Sequence, residues 1–166
     1  MSAEVNQKID PQVFGDQILE LLTHGGTLGS VFDYDDQDYE VLYALGHSLY
    51  AQARYQEAMR VFGYLVMHNH MEKRFMNAFA SSLQMLKSHK EAIKYYSLAS
   101  IMDMSDPLPT FHTAECMIAL GLRDEAKEAL GYVLLQSKTP ELLELKQRAQ
   151  AMLDLLGGAA AVSQTH

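Results

Sequence analysis

The sequence predicts an all-α fold: three helical hairpins in a right-handed superhelical stack, with a helix before them and a capping helix behind. Three observations predict it. The Glu-Ala pair of HKEAIKYYSLA (His89 to Ala99) recurs at Glu57-Ala58 and Glu125-Ala126, so Ala58, Ala92 and Ala126 are 34 residues apart without slippage. Apolar residues recur at three- and four-residue steps, the mark of amphipathic helices, and no two-residue alternation is long enough for a sheet. Proline and glycine fall where helices start and stop. Asp10-Pro11, Asp106-Pro107 and Thr139-Pro140 each join a good N-cap to a proline suited to the first turn. Gly25-Gly26 and Gly157-Gly158 follow helical runs, where a left-handed residue is wanted.

Taken in order, residues 1–38 form an N-terminal helical segment whose first helix is expected from about Pro11 to His24. Residues 39–138 hold the three repeats. Two antiparallel helices that cross closely need small residues at the crossing and large ones around it. The first unit supplies Leu42, Leu45, Gly46, Leu49, Ala58, Phe62 and Leu65. The second supplies Met76, Phe79, Ala80, Leu83, Ala92, Tyr96 and Ala99, and the third Thr110, Thr113, Ala114, Met117, Ala126, Leu130 and Val133. The two crossing positions are small in all three; Thr110 and Thr113 make the third unit the weakest match. Residues 139–156 form a capping helix, since a repeat stack would otherwise expose core at its end, and 157–166 are expected to be a flexible tail.

A two-helix unit of this length is the tetratricopeptide pattern. In such a stack the first helix of each pair lines the concave side. The residues expected there are Tyr43, His47 and Tyr50, then Asn77, Ser81 and Gln84, then Phe111, Glu115 and Ile118, with Leu65 flooring the first pocket and Met85 beside the groove. Aromatics and apolar groups would take the side chains of an extended peptide while the amides bond its backbone. Where some tetratricopeptide proteins grip a C-terminal carboxylate with lysines and asparagines, this chain has Tyr43, His47, Ala78, Leu108 and His112. That argues against a heat-shock-type adaptor.

Composition narrows the function. With 166 residues and 48% hydrophobic content the chain can bury one ordinary core. A net charge of −8 opposes binding to nucleic acid or to an anionic membrane. The single cysteine, Cys116, excludes an internal disulfide and a cysteine-based zinc site and suits a reducing compartment. The start, MSAEVNQKID, lacks the basic and apolar regions of a signal peptide, and apolar runs such as Tyr64 to Met67 are too short to cross a bilayer.

Other motifs carry no chemistry. HNH at His68 to His70 falls at a helix end and an inter-repeat turn, without the strand hairpin of a nuclease. No helical His-x-x-x-His pair is present to hold zinc. GGTLG at Gly25 to Gly29 has no Lys-Ser/Thr to complete a phosphate loop. DYDDQDYE, Asp33 to Glu40, has Asp38 and Ala44 where a calcium loop needs glycine and glutamate, so its acids are assigned to a helix N-terminus. Cys116 is expected to be a small buried hydrophobe. No catalytic constellation, metal site or cofactor is expected.

GGTL (Gly25 to Leu28), LYALG (Leu42 to Gly46), RYQEAMRVFGYL (Arg54 to Leu65) and FHTAEC (Phe111 to Cys116), in this order, resemble the tetratricopeptide chaperones of bacterial type III secretion translocators, over about Gly25 to Leu156. The resemblance implies a bacterial cytoplasmic, non-enzymatic protein that keeps membrane-inserting translocator subunits soluble before export. It implies that an extended N-terminal segment of the client lies in the groove and that the chaperone dimerises through its N-terminal helical region. Tyr43 and Tyr50 match aromatic groove positions of that family. The alternative is a general tetratricopeptide scaffold or regulatory adaptor outside secretion.

Overall fold

The structure, a computed structural model, describes residues 34–162 together with 16, 19–21, 23, 24 and 26–31. Most of the helix expected over Pro11 to His24, like the Asp10-Pro11 cap and residues 163–166, lies outside the described residues. Within them the chain is helical with no strand. A single turn α1 (Leu28–Val31) precedes three pairs: α2 (Asp36–Ala51) with α3 (Tyr55–His68), α4 (Lys73–Met85) with α5 (His89–Met102), and α6 (Leu108–Ala119) with α7 (Arg123–Gln136). A 3-10 turn (Pro140–Leu142) leads into α8 (Leu143–Val162).

From α2 to α8 each helix packs on the next, α1 touches α3, and α2 also touches α4 directly. The first helices of the pairs thus share an inner side, while the second helices face outward. Small residues set the closeness of the crossings. Ala58, Ala80, Ala92, Ala114 and Ala126 are all fully buried. Gly46 is buried as well, and a Cβ there would stand 2.7 Å from Cζ and 2.8 Å from Cδ1 of the Phe62 ring. The 34-residue spacing of the alanines therefore reflects backbone approach. Met76 and Cys116 lie in the core as expected, whereas Leu45 is 47% exposed.

The turn inside each pair repeats too. Ala53 (φ 59°), Lys87 (φ 62°) and Gly121 (φ 78°) are 34 residues apart and all left-handed. The amide that follows each one donates back to the outgoing helix: Arg54 to Leu49 O (3.0 Å), Ser88 to Leu83 O (2.9 Å) and Leu122 to Met117 O (2.9 Å). This is the six-to-one closure of a Schellman motif.

The acids of DYDDQDYE serve the start of α2. Asp35 Oδ1 accepts from the Asp38 amide (2.9 Å) and Asp38 Oδ2 from the Asp35 amide (3.1 Å), a reciprocal capping box. Ion pairs join successive repeats on the surface. Arg74 of α4 pairs with Glu40 of α2, and Lys73 Nζ reaches Asp103 (2.6 Å) and Asp106 (3.1 Å) in the turn before α6.

The C-terminal end differs from expectation. The capping helix does not stop at Gly157-Gly158; α8 runs through both glycines to Val162. Gly157 has no heavy atom within 4 Å of a would-be Cβ, so no neighbour forces a turn there. Ala159, Ala160 and Ala161, the strongest helix formers, follow it and offset the roughly 1 kcal/mol cost of each glycine.

Candidate functional site

The inner helices enclose a depression of about 250 Å³, lined by Tyr43, His47, Arg74, Asn77, Ala78, Ser81, Tyr96, Leu108, Pro109 and His112. A recess of about 40 Å³ continues from it between His47, Tyr50, Phe62, Ala78 and Ser81. Of the expected residues, the structure brings Tyr43, His47, Tyr50, Asn77 and Ser81 together here.

The rest fall elsewhere, for identifiable reasons. Leu65 and Phe111 are fully buried: Leu65 packs in the core of the first pair, and Phe111 lies under α8, where Arg148 covers its ring at 4.7 Å. Both belong to the core and not to the groove surface. Ile118 packs against the same C-terminal core, and Met85 is 45% exposed and outside the depression. Gln84 and Glu115 border the site through hydrogen bonds. Residue-by-residue carry-over between repeats fails because the trough crosses the helices obliquely. It uses positions 43 and 47 on α2, 74 to 81 on α4, and 108 to 112 on α6, stepping toward the N-terminal end of each inner helix. Arg74 and Pro109 enter by this drift, which the sequence does not display, whereas Leu108, Ala78 and His112 stand at the places compared above with a carboxylate clamp. Tyr96 enters from α5, where the spacing marks it only as a crossing residue.

The walls are aromatic and mostly satisfied. The Tyr43 ring contacts His47 (centroids 4.4 Å), Phe75 (5.5 Å) and Phe62 (5.9 Å), and the Arg74 guanidinium lies over it at 4.9 Å. Burial raises the Tyr43 phenol above its ordinary value although Arg74 opposes the shift. Because Arg74 also pairs with Glu40 and contacts Glu72 (3.6 Å), it forms a wall and not a free cation. Tyr50 Oη and Ser81 Oγ are 2.9 Å apart.

At the far end Tyr96 donates to Gln84 Oε1 (2.9 Å), and Gln84 donates to Glu115 Oε2 (3.1 Å). The same carboxylate oxygen meets His112 Nδ1 at 2.8 Å, and Arg148 of α8 reaches its other oxygen at 3.5 Å. Burial pushes the Glu115 carboxyl up, but the hydrogen bonds from His112 and Gln84, with the charges of His112 and Arg148, outweigh it and hold the group below its ordinary value. One acceptor is unused: Asn77 Oδ1 is buried without a hydrogen-bond partner. A buried unpaired carbonyl costs about 1–3 kcal/mol until a donor reaches it.

Chemically, the lining has the composition of a binding surface. The depression is smaller than the roughly 300–1,000 Å³ of small-molecule sites. It offers apolar and aromatic walls interspersed with polar side chains, which fits an extended chain whose side chains insert singly. The described residues contain no group of three or more metal-ligating side chains. The one thiol, Cys116, is fully buried, and burial pushes it up to about 11.

Helical pairs repeating every 34 residues around such a trough define a tetratricopeptide-repeat protein, and the Tetratricopeptide repeat family model matches residues 39–67. Over 149 residues the chain is 31% identical to Low calcium response locus protein H of Yersinia pseudotuberculosis serotype I, covering 89% of this chain and 88% of that one. A T3SS complex from Aeromonas hydrophila superposes with a TM-score of 0.83 at 33% identity, covering 88% of this chain and 98% of its own. The Yersinia enterocolitica type III secretion chaperone SycD, in complex with a peptide of the translocator YopD, gives a TM-score of 0.73 at 29% identity, covering 77% and 98%. The chain belongs to this family of tetratricopeptide-repeat type III secretion chaperones.

Proposed function

We propose that this protein is a cytoplasmic chaperone of type III secretion that holds an extended segment of a membrane-inserting translocator in the inner trough before export. One observation carries the peptide reading: Tyr43, His47, Ala78, Leu108 and Pro109 surround one depression of about 250 Å³ on the inner helices, with the polar Asn77 and Ser81 among them. The side chains of an extended segment enter the depression and its 40 Å³ extension singly, while polar groups of the wall meet its backbone. The SycD–YopD peptide complex supports the choice of client. A translocator exposes apolar segments that aggregate in water unless covered, and an acidic chaperone lends its complex net charge, which opposes association between complexes. The role requires no bond-making chemistry of the chain. Residues 1–38 are proposed as the dimerisation segment, with 39–138 the repeats and the helix that follows them the C-terminal cap.

The test is co-purification with a translocator segment. The double variant Tyr43→Ala/Tyr50→Ala should lower affinity by about 10- to 100-fold, as loss of interface aromatics does, at unchanged helical content by circular dichroism. Unaltered client recovery would place the binding surface elsewhere.

A further inference from the structure

The far wall of the trough holds a polar chain that the seating of an extended segment does not by itself explain. On α6, His112 lines the depression and Glu115, one turn on, does not. The His112 ring is wedged in place: it stacks on Tyr96 (centroids 5.3 Å, planes 25° apart) and meets Phe111 edge to face at 5.7 Å. Its Nδ1 lies 2.8 Å from Glu115 Oε2. Gln84 Nε2 donates to the same oxygen (3.1 Å), and Arg148 reaches the other at 3.5 Å. Burial pushes the Glu115 carboxyl up, yet the hydrogen bonds from His112 and Gln84 outweigh it, so the group is ionised at neutral pH. A carboxylate only accepts, so the proton between the two residues belongs to Nδ1. In the neutral ring the other nitrogen, Nε2, is then an acceptor.

The other polar groups of the wall are occupied or uncommitted. Tyr50 holds Ser81 Oγ, the Tyr96 hydroxyl is given to Gln84, and Arg74 is paired with Glu40 and Glu72. Asn77 keeps its carbonyl oxygen buried. His47 packs on Tyr43 and Phe62, with no carboxylate among the described residues to choose its tautomer. His112 differs on both counts. Its Nε2 makes no hydrogen bond among the described residues, and its side chain is 29% exposed, so that nitrogen is open to whatever fills the depression. Leu108 and Pro109, one turn before it, are apolar and suit a client side chain, which leaves a backbone N–H as the donor for Nε2. An acidic side chain is turned away there, because its oxygens would meet a lone pair with the Glu115 carboxylate behind it.

We propose that Glu115 is a positioning residue for client selection: it locks His112 in the Nδ1–H tautomer, so that Nε2 takes one backbone N–H of the client and excludes an acidic residue at that place. This rests on the trough reading above. In the full-length protein, nitrogen NMR of the histidine rings at mildly alkaline pH, with His112 assigned by its contacts to the Tyr96 ring, should show the Nδ1–H form. Glu115→Gln, whose amide donates as well as accepts, should shift the ring toward the Nε2–H form, a change that a packing role alone would not produce. An Nε2–H ring in the parent protein overturns the proposal. Binding is read by fluorescence anisotropy with a synthetic peptide of a translocator's N-terminal segment. Replacing its amides by esters one at a time should reveal a position that costs the parent about 2- to 10-fold in affinity, the weight of one hydrogen bond. The same ester should cost His112→Phe, which keeps the stacking on Tyr96, nothing. Glu115→Gln should shrink the same penalty and serves where His112→Phe fails to fold. If no ester behaves so while Tyr43→Ala/Tyr50→Ala still weakens binding, the proposal is overturned and the trough reading stands. If the tyrosine variant also binds normally, both fall.

Discussion

Gly46→Ala tests whether the crossings are as tight as the repeat implies. Alanine is the better helix former by about 1 kcal/mol, so in an open helix the change would stabilise. Here the new methyl would sit 2.7 Å from Cζ of Phe62. That ring is 1% exposed and held by Tyr43 and His47, with centroids 5.9 and 5.3 Å away, so it cannot swing into solvent. Overpacking of this kind costs about 1–3 kcal/mol. The net is a loss of up to about 2 kcal/mol, or up to roughly 6 °C in Tm for a chain of this length. Gly131→Ala is the control, because its methyl meets nothing within 4 Å; it should gain about 0.5–1 kcal/mol. Urea and thermal unfolding followed by circular dichroism read both. If Gly46→Ala gains as much stability as Gly131→Ala, the ring has room to move and the tight crossing is refuted. Phe62→Leu in the Gly46→Ala background should recover part of the loss, a coupling of about 0.5–3 kcal/mol between touching residues.

Ala92→Leu, at a fully buried crossing, should cost about 1–3 kcal/mol in urea unfolding. Lys87→Gly should leave stability unchanged or raise it by up to about 1 kcal/mol, since glycine relieves the left-handed backbone while adding freedom to the unfolded chain; a clear loss would mean the Lys87 side chain itself contributes. Glu115 is held below its ordinary value of 4.5, so its contribution is present above that pH and lost as pH falls through the lower folded value. Glu115→Gln should therefore flatten the acid limb of stability below about pH 4.5, read from urea midpoints, and an unchanged slope would mean the carboxylate is not paired. For client binding, the paired tyrosine variant described above remains the decisive measurement.

The helical pairs were legible because their cause is local and repeated: a backbone crossing demands alanine or glycine at a fixed interval, and Gly46, Ala80 and Ala114 answer Ala58, Ala92 and Ala126. The acids before α2 were legible as the start of a helix, but they were assigned to its dipole and not to the reciprocal cap that Asp35 and Asp38 form. The left-handed turns were not legible, since alanine at 53 and lysine at 87 have no preference for that conformation and only Gly121 announces it. The end of α8 was misread because glycine was weighed without the three alanines after it. Half of the trough was hidden, since superhelical twist moves its path along each inner helix. Position 111 inherits a groove address from Tyr43 and Asn77, yet Arg148 and the capping helix turn it into core.

The neighbour-to-neighbour packing of α2 through α8 makes the molecule compliant in one direction. A degree or two of pivot at each junction accumulates along the row, so the ends can breathe while every individual contact barely changes. A strand lying across α2, α4 and α6 acts as a strut that stiffens the whole row. In the complex proposed above, tugging that strand from one tip would free the junctions in sequence, so unloading would proceed by small successive steps and not through one large barrier.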